Sequence, residues 1–201
     1  MSEHYLLPVY QYLTQTLLRL TSLTPAQTDT VDLGGGNGMW LYYMLSYGFK
    51  SATLVDADHE KIEAAHNLLA EKFDSSCWQT IQADVAAIPV PDNAFDLAVS
   101  RSSLHFWADL PAAWREIARI TRPGGYFFSG RGYGPDLPEE LRQAVKAAKY
   151  QHLCDDSGEK HQEPPSLLPD ELSAIAAEVG FTTLAVLPDH KAYWFLAQKN
   201  R

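Results

Sequence analysis

The chain is poor in cysteine, in positive charge and in long apolar runs, and each shortage removes a class of function. Its two cysteines, Cys77 and Cys154, stand far apart and without metal-ligand spacing. No metal site and no disulfide framework is expected, and both read as unpaired thiols. Lys and Arg number 16 against 25 Asp and Glu, a formal charge of -9, so the basic footprint that nucleic-acid binding needs is missing. No stretch approaches the roughly 20 apolar residues of a membrane-crossing helix. Met1-Ser2-Glu3-His4 lacks the charged leader and apolar run of a targeting signal. Internal repeats and low-complexity tracts are also absent. The expectation is a cytoplasmic protein without nucleic-acid or membrane partners, and no sequence signal sets its oligomeric state.

What is present is a core. With 46% hydrophobic residues over a length of 201, the chain can fill one α/β domain but would be cramped as two. The most informative stretch is Val31-Asp32-Leu33-Gly34-Gly35-Gly36-Asn37-Gly38, an acid and alternate glycines where a buried strand should turn into a helix. Glycines at 34, 36 and 38 let the backbone approach a ligand closely, and Asp32 sets an acceptor beside them. A dinucleotide fingerprint would need a further glycine where Met39 stands, which weakens the pyrophosphate reading.

Residues 52–55 read as a second strand, and Asp56 follows it. An acid at that tip can accept from both hydroxyls of a ribose. Asp58 is its rival, although it could equally cap the helix that starts near His59. Residues 80–85 read as a third strand ending in an acid, and residues 88–100 lead into a fourth. Leu104-His105 follows. Next comes a helix with Leu110, Ala113, Trp114, Ile117 and Ile120 at helical spacing. Arg122-Pro123-Gly124-Gly125 is expected to stop that helix, with a fifth strand at 126–129.

Asp32-x-Gly34-x-Gly36-x-Gly38 and the ordered motifs after it resemble the class I S-adenosylmethionine-dependent methyltransferases, of the type 11-like domain that acts on small molecules. The resemblance runs over residues 28–130. It implies a Rossmann-like, doubly wound sheet of seven strands, mostly parallel with one antiparallel strand near the C-terminus. It implies S-adenosyl-L-methionine as cofactor and S-adenosyl-L-homocysteine as product. By the same resemblance Asp84 and the Val85 amide read adenine, and the cofactor set is Asp32, Gly34, Gly35, Gly36, Gly38, Asp56, Ala57, Asp84, Val85 and Ser100.

Outside this core, residues 1–24 are expected to form a cover helix whose tyrosines Tyr5, Tyr10 and Tyr12 help to close the site. Residues 131–168 form a variable lid or acceptor segment that opens glycine-rich at Gly130, Gly132 and Gly134. Within it a helix over about 138–150 precedes a loop over 152–165. Residues 169–201 supply a last helix and a strand pair. Cover helix and lid are expected to select the acceptor and to become ordered on ligand binding.

The chemistry asks little of the protein, because a sulfonium methyl is already activated and alignment supplies most of the rate. A base is needed only if the acceptor carries a proton, and His105, Tyr133 and Tyr10 are the candidates by position, with His152 and His161 behind them. The reading is methyl transfer to a small-molecule acceptor. Its alternatives are a non-catalytic S-adenosylmethionine-binding regulatory module, a methyltransferase acting on protein or RNA, and a nicotinamide-dependent oxidoreductase. The Asn-Pro-Pro-Tyr pattern of enzymes that methylate base or glutamine amines is absent after the fourth strand, where Ser100-Arg101-Ser102-Ser103 stands.

Overall fold

A computed structural model describes residues 4–155 and 167–201. Seven strands form one sheet: β1 (Asp29–Leu33), β2 (Ser51–Asp56), β3 (Trp78–Gln82), β4 (Phe95–Arg101), β5 (Thr121–Gly130), β6 (Phe181–Asp189) and β7 (Ala192–Lys199). Their order is β3-β2-β1-β4-β5-β7-β6. Only β7 is reversed, pairing antiparallel with both β5 and β6. Because β1 is flanked by β2 and β4, the winding direction changes beside β1, and open α/β sheets bind ligands at the strand ends at that point.

The central strands β1, β2 and β4 are buried on both faces, so they read as near-continuous apolar runs. Side chains of Leu97 and Val99 share a core with Leu13, Leu17 and Trp40 of α1 (Leu7–Leu20) and α2 (Met39–Tyr47). Val31, Leu33 and Ala98 point to the other face, against Trp114 and Ile117 of α4 (Leu110–Ile120) and Leu172 of α6 (Pro169–Glu178). The helix α3 (His59–Ala70) covers β2 through Ala65 and Leu69. This is the doubly wound architecture the motifs implied.

Several boundaries differ from the sequence-based expectation. The strand β3 ends at Gln82 rather than running to 85, so Asp84 stands beyond it in a turn. The helix α4 stops at Ile120, before the Arg122-Pro123-Gly124-Gly125 signal, and those residues belong to a bulged stretch of β5. At the helix end the Lys199 ammonium donates to the Ala118 and Thr121 carbonyls, 2.6 and 2.7 Å away, satisfying backbone acceptors there. The helix α5 (Glu139–Asp155) takes in residues 152–155, expected as loop. Residues 156–166 of that expected loop, with His161, lie outside the described residues, as do the side chains of His152 and Cys154.

The N-terminal helix packs its apolar stripe into the core. Val9, Leu13 and Leu17 of α1 are fully buried, and the helix ends at Leu20 rather than near residue 24. Cys77 is free and half-buried. Among the described residues, no helix is long and apolar enough to cross a membrane.

Candidate active site

The glycine loop leaves β1 at Gly34, whose amide donates to the Val55 carbonyl, 2.8 Å away, tying the turn to β2. Its glycines do different things. A Cβ on Gly34 would fall 1.8 Å from Ser103 Oγ, one on Gly35 2.9 Å from the Asp32 carboxyl, and one on Gly38 3.0 Å from Ala65 Cβ. These three are glycine because protein occupies the side-chain space. Gly36 has nothing within 4 Å of the Cβ position and a φ of +57°. Open space over a left-handed backbone residue is what a ligand-facing position requires.

Asp56, at the end of β2, accepts from the Gly36 amide at 2.9 Å and from the Asp58 amide at 3.0 Å. It thus faces the loop. Asp58 instead accepts from the Glu60 amide at 2.9 Å and caps α3, so the two rival acids have separate places. Ala57 is exposed, and its carbonyl accepts from Gln82 Nε2 at 3.3 Å. Exposed Asp84 turns the chain after β3 by accepting from the Ala86 amide at 2.8 Å, which buries Val85 beside Val31 and Leu33.

Asp32 lies between these parts, 2% exposed. Burial, and then the Asp56 carboxylate, push its carboxyl up to about 8 against the pull of the Arg101 guanidinium. Its Oδ1 and the Oγ of fully buried Ser100 have no hydrogen-bond partner among the described residues. Buried polar atoms are ordinarily satisfied, so these two atoms, at the ends of the adjacent strands β1 and β4, fit a site built for a polar ligand.

The sequence reasoning did not single out Arg101. It continues the Leu97–Val99 face of β4, by strand alternation, and its guanidinium lies 5.5 Å from the Tyr10 ring centroid. Arg101 Nε donates to the Gly132 carbonyl at 3.3 Å. Tyr10 is buried and stacked on Trp40, with centroids 5.9 Å apart. The structure therefore gathers Tyr10 and the backbone next to Tyr133 around Arg101. His105 lies in a short helical turn against Phe106. It lines a small cleft of about 40 Å³ with Ser102, Ser129, Leu172 and Tyr193. Ser102 has a φ of +56°. This is a costly conformation for a residue with a side chain and is most often retained at functional sites.

A glycine loop at the point where the sheet reverses its winding, with acids at the ends of two neighbouring strands, defines a nucleoside-binding α/β domain. Residues 31–129 match the family described as Methyltransferase domain, and the fold and the ordered motifs are those of the class I S-adenosylmethionine-dependent methyltransferases. The chain is 34% identical over 160 residues to the mitochondrial arginine-hydroxylase NDUFAF5 of Homo sapiens, covering 79% of this chain and 43% of that one. It is 31% identical over 138 residues to a malonyl-[acyl-carrier protein] O-methyltransferase of Gallionella capsiferriformans, covering 64% and 45%. The matched part therefore spans less than half of either relative. A solved chain from Methanococcus maripaludis, described as an S-adenosyl-L-methionine-dependent methyltransferase, superposes with a TM-score of 0.80 at 25% identity, covering 100% of this chain and 89% of that chain.

Proposed function

We propose that the protein transfers the methyl group of S-adenosylmethionine to a small-molecule acceptor. The observation that carries this reading is the open space over Gly36, bordered by Asp56 and close to the unpartnered Asp32 Oδ1. In this reading Asp56 accepts from the ribose hydroxyls, Asp84 and the Val85 amide meet adenine, and Gly34, Gly35, Gly36, Gly38, Ala57 and Ser100 shape the remaining wall. When bound, the cofactor supplies an activated sulfonium methyl. The chain's own residues align the acceptor, exclude water and hold a proton. His105, on the wall of the cleft, is placed to take a proton from an acceptor that carries one, while Tyr10 and Tyr133 act as positioning groups around Arg101.

A second reading has the acceptor presented on a protein, as the printed names of the arginine-hydroxylase and the acyl-carrier-protein methyltransferase suggest. Calorimetry tests the cofactor: S-adenosylhomocysteine is expected to bind in the micromolar range, about -8 kcal/mol, and a nicotinamide dinucleotide not at all. The opposite preference would overturn the reading. Methyl-labelled S-adenosylmethionine with a cell extract then tests the acceptor. Label in low-mass products supports a small molecule, label in protein alone supports the second reading, and binding without turnover leaves a non-catalytic module.

A further inference from the structure

Resting on the methyltransferase reading, we propose that Asp189 is a positioning residue for the cofactor site: it fixes the loop after β5 so that the Gly132 carbonyl holds Arg101 against Tyr10.

Asp189 ends β6 at the hairpin to β7 and is 3% exposed. Its Oδ2 accepts from the amides of Tyr133 and Gly134, at 2.9 and 2.7 Å, and from Trp194 Nε1 at 3.3 Å. Its Oδ1 lies 2.8 Å from Nη1 of Arg142, itself buried in α5. Arg142 Nη2 donates to the Gly134 carbonyl at 2.7 Å. The loop has no slack. A Cβ on Gly132 would fall 2.4 Å from Asp189 Oδ2, and one on Gly134 2.9 Å from Leu13 Cδ2 of α1.

Desolvating two charges is expensive, and a well-packed apolar pair joins two elements at least as well. A buried carboxylate does something an apolar pair cannot: it dictates which way peptide groups face. With the Tyr133 and Gly134 amides turned toward Asp189, the Gly132 carbonyl is free to meet Arg101 Nε on the other side. Arg101 in turn is the cation whose field acts on Asp32. The chain of contacts thus runs from the β6–β7 hairpin to Arg101, whose field reaches the first acid of the glycine loop.

The test is a set of double-mutant cycles read by S-adenosylhomocysteine calorimetry, using Asp189→Asn, Gly132→Ala and Arg101→Gln. Gly132→Ala keeps the Asp189 and Arg142 side chains but sets a Cβ against Asp189 Oδ2, forcing the loop and that carboxylate apart, so it carries the test even if Asp189→Asn fails to fold. Asp189→Asn and Gly132→Ala are each expected to raise the dissociation constant about fivefold, and to add no further loss once Arg101→Gln is present, as for residues acting in one network. Losses that multiply with that of Arg101→Gln, or a lowered melting temperature with unchanged affinity, would overturn the positioning role alone. A wild-type protein that binds no S-adenosylhomocysteine would instead overturn the methyltransferase reading beneath it.

Discussion

At the scale of single residues, Asp32 carries the clearest consequence. An unfolded aspartate titrates near 3.9, whereas burial and the Asp56 carboxylate hold Asp32 at about 8 in the folded chain. Between those values the native state keeps a proton that the unfolded state has lost. Stability from this group therefore falls as pH rises from about 4 to 8 and then levels off. Asp29, Glu116 and Asp136 are held below their ordinary values by hydrogen bonds and cations, against the cost of their burial. They contribute in the opposite sense, and the measurement must cancel them. The difference in melting temperature between Asp32→Asn and wild type should be small near pH 4 and grow to a maximum at pH 8. A pH-independent difference would mean that Asp32 is ionised throughout. The glycines make a second contrast. Gly34→Ala drives its Cβ into Ser103 and should destabilise the fold, whereas Gly36→Ala meets no protein atom. The latter should cost only about 1 kcal/mol of backbone strain while blocking S-adenosylhomocysteine; thermal melts and calorimetry on both variants read this directly. The glycine spacing was legible in the sequence. Which glycine faces the ligand was not, because that depends on Ser103 and Ala65, which reach the loop only through the fold.

At the scale of elements, motifs written in consecutive residues could be read, and features completed by a distant partner could not. The apolar stripe of α4 from Ala113 to Ile120 is buried as its spacing implied. Its end at Ile120 agrees with that stripe, while Lys199, on β7, meets carbonyls there from far along the chain. The loop after β5 likewise has partners that its own residues do not announce. Three glycines suggested a mobile lid, but Asp189 and Arg142, far along the chain, pin its described part. Exchange of the Tyr133 and Gly134 amides should accordingly be slow before any ligand is added, and fast exchange in the unliganded protein would restore the lid. The cap of α3 separates the two rival acids by experiment. Asp58→Ala should lower stability by about 0.5–2 kcal/mol, the usual cost of losing a side-chain cap, with S-adenosylhomocysteine affinity unchanged. Asp56→Ala should weaken that affinity by about 1.5–3 kcal/mol, the range for hydrogen bonds to a charged group. Equal affinity losses from both would return the ribose contact to an open contest.

At the scale of the whole molecule, strand order and function share a cause: β1 sits where the sheet reverses its winding, and the glycine loop and Asp56 are delivered there by neighbouring strands. That much was legible because each strand brings its own motif, in order. The cleft around His105 was not, since it is assembled from the segment after β4 and from β5, β7 and α6, whose residues carry no shared pattern. Charge adds a property of the entire chain. The protein carries a formal charge of -9, and the proposed cofactor wall includes Asp56 and Asp84. S-adenosylmethionine bears a sulfonium charge that S-adenosylhomocysteine lacks, so the protein's field should favour the reactive cofactor over its product. Screening removes that preference, because the Debye length shrinks from about 30 Å at 0.01 M salt to about 3 Å at 1 M. Raising salt across that range should weaken S-adenosylmethionine more than S-adenosylhomocysteine, and parallel calorimetric titrations would show the two affinities converging. Identical salt dependence would mean that the acids at the strand ends act on the ligand through hydrogen bonds alone, and that the net charge has no part in holding the sulfonium.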